Sequence, residues 1–123
     1  MVDVFKDQKT FMEACDQTTD VFNEGQFNLY TRLINEEVQE LWSANSNGDK
    51  VECLDALIDI LVVTVGALHS LGVDGEGAWR EVMRTNIAKI DKETGKVRKR
   101  EDGKVLKPDD WQPPNLKPYI KGE

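Results

Sequence analysis

The chain has 123 residues, enough for a single domain with a modest core. Hydrophobic residues make up 39% and charged residues 32%, and a net charge of −7 argues against a general binder of nucleic-acid polymers or anionic membranes. The two cysteines, Cys15 and Cys53, lack C-x-x-C spacing and read as reduced core residues in a reducing compartment.

In chain order, MVDVFKDQKTF lacks the charged and apolar regions of a secretory signal, so a cytoplasmic protein is expected. Phe5, Phe11, Met12 and Cys15 predict a first helix over about 7–19. Asn23, Gly25 and Gln26 read as a break, followed by a second helix over about 27–45. Ser46, Asn47 and Gly48 end it, and Asp49 is a candidate N-cap for a third helix reaching Leu71 and stopping at Gly72. The connection is short, so these two helices should be antiparallel neighbours. Asp55, Asp59 and His69 interrupt the apolar run from Leu54 to Leu71, against a membrane span.

Asp74 can cap a fourth helix through Ile90, whose stripe of Trp79, Val82, Met83, Ile87 and Ile90 also contains Asn86, with Lys89 a turn later. Asp102-Gly103 between Val97 and Val105 reads as a small hairpin turn, and four prolines after Lys107 predict an extended tail. The expected architecture is all-α: a bundle of about four helices with a short hairpin and an extended C-terminal tail. Trp42 and Trp79 are expected to pack in the core.

The chemistry concentrates in the second and third helices. At about 100° per residue, Tyr30, Leu33, Ile34, Leu41 and Ala44 form one apolar arc, with Glu37 in its middle, Glu40 at its edge and Glu36 just outside. An isolated Glu-Glu doublet is ordinarily a solvated face, but a carboxylate inside a core stripe is costly unless a cation or hydrogen bonds meet it. On the third helix Glu52, Asp55 and Asp59 share an arc of about 60°, continued by Val62, Val63 and Gly66, while the other side is also apolar. Two facing acidic patches repel, and an oxygen-only set favours Mg²⁺, Mn²⁺ or Ca²⁺ between them.

His69 is the only histidine and lies outside the Glu-x-x-His pairs of di-iron bundles, so it reads as structural. There is no phosphate-binding Gly-rich loop, nucleophile elbow or Cys/His pair.

RLINEEVQEL, followed by an acidic helix with Asp59-Ile60-Leu61, resembles the all-α nucleoside triphosphate pyrophosphohydrolases, which include MazG-type and phosphoribosyl-ATP pyrophosphohydrolase-like proteins. Their E-E-x-x-E pattern matches Glu36, Glu37 and Glu40. RTNIAKI resembles their later Asn-x-x-Lys element at Asn86 and Lys89, and DGKVLKPDDWQPPNL resembles the end of the phosphoribosyl-ATP-like branch. Their E-x-x-D pattern fits Glu52 and Asp55 literally, while the aliphatic run that follows it in the family suits Asp59 better; the choice stays open.

The resemblance implies an Mg²⁺-dependent (or Mn²⁺-dependent) enzyme that cleaves a nucleoside triphosphate to the monophosphate and pyrophosphate. Glu36, Glu37 and Glu40 would be catalytic, and Glu37, Glu40, Glu52, Asp55 and Asp59 would be metal ligands. Asn86, Lys89, Lys104 and Lys107 would bind substrate. Apolar side chains around most of the third helix from Ile60 to Leu68 predict a homo-oligomer, at least a dimer, with its Val62, Val63 and Gly66 side in or beside the interface, and the resemblance likewise implies a homodimer or homotetramer. A non-catalytic metal- or nucleotide-binding helical oligomer module remains the alternative.

Overall fold

The computed structural model describes residues 1–121 and is all-α, with four α-helices: α1 (Val4–Ala14), α2 (Glu24–Ser46), α3 (Lys50–Leu71) and α4 (Gly75–Ile87). Among the described residues there is no strand; an isolated bridge of Ile90 with Val97 closes a turn over 91–96, a second of Lys99 with Val105 flanks the hairpin turn, and a 3₁₀ turn spans Lys117–Tyr119. The chain divides into two compact units, Met1–Gly75 with Lys121, and Glu76–Ile120. No helix among the described residues is long and apolar enough to cross a membrane.

Local chemistry explains the helix ends. Asp3 caps α1 by accepting from the Lys6 N–H at 3.0 Å, so this helix begins and ends earlier than the 7–19 expectation. It stops because Asp16 adopts a left-handed φ of 58°, with Gln17 N–H donating to Met12 O at 2.9 Å and Asp16 N–H to Glu13 O at 3.1 Å. Asn23 is a cap rather than a break, accepting from the Gln26 N–H at 3.1 Å, so α2 starts three residues before Phe27. α2 ends by the same bonding as α1, with Gly48 at φ 66° in place of Asp16, and Asp49 then caps α3 through the Glu52 N–H at 3.1 Å. α4 ends at Ile87 rather than Ile90.

In the first unit, α2 runs along α3 and α1 packs against α3. Met12, Tyr30 and Ala67 form the buried centre, flanked by Phe27, Leu33, Ile34 and Val63. His69 is half-buried, its Nε2 2.9 Å from Phe5 O.

Other expectations fail. Cys15 is exposed, because α1 ends just before it. Trp42 and Trp79 are each 64% exposed, on helix faces turned away from the packed side. Gly66 does not face outward: it is buried, and a Cβ there would lie 2.6–2.7 Å from Tyr30 Cδ1 and Cζ. Val63 likewise packs into the core, leaving Val62 as the exposed member of that trio.

In the second unit the hairpin turn forms as expected at Asp102-Gly103, with Gly103 at φ 89° and Arg100 N–H donating to Lys104 O at 2.8 Å. The tail is tied to α4: Trp111 Nε1–H donates to Thr85 O at 2.7 Å, and Asn115 N–H donates to Glu81 Oε2 at 2.7 Å. Glu81 also takes two bonds from Arg84, at 2.8 and 3.0 Å.

Candidate active site

Two contacts fix the register of α2 against α3. Gln26 Nε2–H donates to Ser70 Oγ at 2.8 Å, and one turn on, the Tyr30 ring lies against Gly66. In an antiparallel pair each step forward on α2 is a step back on α3. Leu33 therefore comes opposite Val63, Glu37 opposite Asp59, and Leu41 opposite Asp55. Glu37 follows Tyr30 by seven residues, and Asp59 precedes Gly66 by seven, two turns or about 10.5 Å of helix rise in each case. The tyrosine–glycine contact that closes the helices thus sets the approach of the two acidic faces.

Glu37 is half-buried, and its Oε2 is fully buried with no hydrogen-bond partner. Loss of water, the neighbouring Glu40 carboxyl and the charges of Asp59 and Asp55 push its pKa up to about 7. Asp59 is also half-buried and is pushed up, first by burial and then by the charges of Asp55 and Glu40. The four groups feel one another across the two helices. Beside them a groove of about 580 Å³ is lined by Glu40, Glu52, Asp55 and Asp49, with Ser43 and Asn47.

These groups are all hard oxygen donors, and the orphaned Glu37 Oε2 supplies the kind of buried acceptor a cation would satisfy. Among the described residues no three acidic, histidine or cysteine side chains form a ready-made metal-ligating group. Like charges relax apart unless something positive lies between them, so the donor chemistry fits a divalent ion while the side chains would have to draw inward to hold it.

Of the expected site residues, Glu37, Glu40, Asp55 and Asp59 are electrostatically joined, and Glu52 lies along the adjoining groove. Glu36 is exposed on α2. Asn86, Lys89, Lys104 and Lys107 belong to the second unit. There Lys89 Nζ donates to Asn86 Oδ1 at 3.0 Å, and the Nζ atoms of Lys89 and Lys107 lie 5.2 and 4.6 Å from the Trp111 ring centre. Lys104 is exposed in the hairpin. Asn86 sits at an exposed helix edge rather than in a packed stripe.

Sequence reasoning did not find the Gln26–Ser70 and Tyr30–Gly66 clasp, or Trp111. The seven-residue spacings Tyr30 to Glu37 and Asp59 to Gly66 were a usable signal for the former; nothing local marked Trp111.

The model of the phosphoribosyl-ATP pyrophosphohydrolase family matches residues 4–86, which take in α1 to α3 and all but the last residue of α4. That is more than half of the chain, and the chain belongs to this family, within the MazG-like all-α nucleoside triphosphate pyrophosphohydrolase superfamily. The family is one of pyrophosphohydrolases acting on a nucleotide and is generally dependent on a divalent metal. No curated protein matches the chain significantly.

Proposed function

We propose that the protein is an Mg²⁺-dependent (or Mn²⁺-dependent) nucleoside triphosphate pyrophosphohydrolase, releasing pyrophosphate and leaving the monophosphate. The observation that carries this reading is the partnerless, buried Glu37 Oε2 in register with Asp59, inside the region of the family match. Glu37, Glu40, Asp55 and Asp59, with Glu52 at the groove, are the proposed metal ligands. When bound, the metal screens phosphate charge and lowers the pKa of a coordinated water. Glu36 and Glu52 are exposed carboxylates beside this cluster in the sequence, and either is proposed to accept the proton of the attacking water. Asn86, Lys89, Lys104 and Lys107 are the proposed receivers of the polyphosphate, their cations meeting the negative charge of the leaving pyrophosphate.

The test is product identity. The protein with Mg²⁺ is incubated with each common ribo- and deoxyribonucleoside triphosphate and with phosphoribosyl-ATP, the substrate in the family's name, which carries the same α–β anhydride. Monophosphate plus pyrophosphate supports the proposal. Diphosphate plus orthophosphate, or no product from any of them, overturns it.

We further propose a homo-oligomer, at least a dimer. Val51, Leu54, Leu57, Ile58, Leu61 and Val62 are 39–73% exposed on one side of α3, a larger apolar strip than a monomer ordinarily presents. A second copy of the same strip would cover it by a two-fold contact.

A further inference from the structure

The second unit contains a cleft of about 870 Å³ at the C-terminal end of α4, between the 91–96 turn and the tail. Ile87 and Ile90 line it from the helix end, Asp91 and Lys92 from the turn, and Pro108 and Asp110 from the tail. Both walls are braced by hydrogen bonds. The turn is closed by Asp91 N–H on Lys96 O and Gly95 N–H on Asp91 O, each at 2.8 Å, beside the Ile90–Val97 bridge. The tail is held where Trp111 Nε1–H meets Thr85 O at 2.7 Å and Trp111 N–H meets Pro108 O at 3.1 Å. A braced cleft of this volume, with an apolar floor and a few polar groups at its rim, suits a small organic ligand.

The charges at the rim narrow the ligand. Arg84 borders the cleft, but Glu81 takes bonds from its Nε and Nη2 at 2.8 and 3.0 Å, so its charge is already matched. Asp91 spends one oxygen on the Glu93 and Thr94 N–H groups, at 2.8 and 3.3 Å. The exposed Asp110 side chain has no hydrogen bond or ion pair among the described residues, which leaves both its oxygens as acceptors. Such a carboxylate is best met by two adjacent N–H donors. Among the common bases only guanine presents them side by side, at N1 and N2. Adenine and cytosine set a ring-nitrogen lone pair beside their amino group, and uracil and thymine flank a single N–H with carbonyls. Lys92 adds a donor for guanine O6 or N7.

We propose that this cleft is a guanine-selective base site, with Asp110 reading the base and Ile87, Ile90 and Pro108 as its apolar platform. Lys89 lies in the chain between two lining residues, Ala88 and Ile90, and Lys107 directly precedes Pro108. A nucleotide whose phosphates reach those lysines therefore has the cleft beside it for its base. Assigning that base to the substrate rests on the pyrophosphohydrolase reading; selective binding by the cleft does not.

The experiment measures binding of guanosine, adenosine and xanthosine monophosphates to the full-length chain by calorimetry in EDTA, which separates it from hydrolysis. The phosphate is common to all three, so differences report the base. Wild type should bind the guanosine ligand about tenfold to hundredfold more tightly than the adenosine one. Xanthine carries a carbonyl where guanine has its 2-amino group, so it offers one donor and one acceptor, the complement of an amide. Asp110→Asn should therefore weaken the guanosine ligand about tenfold and bind the xanthosine ligand more tightly than it. Asp109→Asn, the neighbouring carboxylate outside the lining, should change neither, and Ile87→Ser, at a position 60% exposed, should weaken all three alike. Absence of saturable binding, equal affinity for the three bases, or selectivity unchanged in Asp110→Asn would overturn the base site. An equal change in Asp109→Asn would overturn the assignment to Asp110. Failure here with pyrophosphate release intact would leave the enzymatic reading standing, and selective binding without release would leave the cleft standing alone.

Discussion

Gly66→Ala tests the contact on which the register of the acidic helices depends. The added Cβ would lie 2.6–2.7 Å from Tyr30 Cδ1 and Cζ, and closer still to Cε1. The ring cannot simply swing aside, because Tyr30 is 4% exposed and its hydroxyl donates to Gln17 Oε1 at 2.6 Å. Overpacking of this kind costs about 1–3 kcal/mol, and a broken hydroxyl bond about 1 kcal/mol more. Alanine recovers about 1 kcal/mol of helix propensity over glycine. The net expectation is a loss of about 2 kcal/mol, read as a lower urea midpoint at unchanged m-value. Tyr30→Leu should destabilise the wild type but cost at least about 1 kcal/mol less in the Gly66→Ala chain, since it removes the clash. Because Glu37 and Asp59 stand two turns away on the same faces, turnover should also fall in folded Gly66→Ala protein. An alanine variant as stable as wild type, with additive double mutants, would refute the close contact and the register built on it.

Glu37→Gln should abolish turnover yet leave the metal-free protein as stable as wild type or more so at pH 8, since it removes one of several mutually repelling charges; a marked loss in thermal melting would make Glu37 a structural ion-pair partner. Its folded-state pKa of about 7 exceeds the ordinary 4.5, so the folded state binds the extra proton between those values. Metal-free stability should therefore be highest below about pH 4.5 with respect to this group and fall as pH rises through 7, a slope that the Gln variant flattens; an identical slope in both refutes the assignment. Glu81 has the opposite sign: Arg84 and the Asn115 N–H hold its carboxyl down to about 2, so its contribution is present above the ordinary 4.5 and lost as pH falls through 2. Glu81→Gln should increase protease cutting near Asn115 at pH 7, and unchanged cutting would contradict the tether. Leu54→Glu with Leu61→Glu should convert the proposed oligomer to monomer in sedimentation at micromolar concentration; a wild-type monomer of 14.0 kDa sinks that proposal.

The sequence carried the four helices and the acidic faces because both depend on short-range periodicity. Asp49 and Gly72 were legible as terminators, having the side chain or backbone freedom that a helix end requires. Asn23 was misread because asparagine serves both in turns and as a cap, and only the Gln26 N–H it accepts from distinguishes the two. Gly66 was misplaced for a related reason. A small residue on an apolar helix signals a close approach, but the sequence does not say to what, and the partner proved to be Tyr30 of the same chain. Glu37 was legible from its place in the stripe, whereas the strength of its coupling to Glu40 and Asp59 needed the register. Trp111 was not legible at all, because its partners Thr85, Lys89 and Lys107 come together only through the tail's path.

The central claim is that the carboxylates shared by α2 and α3 perform metal-dependent release of pyrophosphate. It is tested most directly by following pyrophosphate release from the best nucleotide of the panel for wild type, Glu37→Gln and Asp59→Asn, each with Mg²⁺ and with excess EDTA. The account predicts turnover only for wild type with Mg²⁺, from variants that remain folded. Turnover that persists in EDTA, or at wild-type rate in either variant, would contradict it.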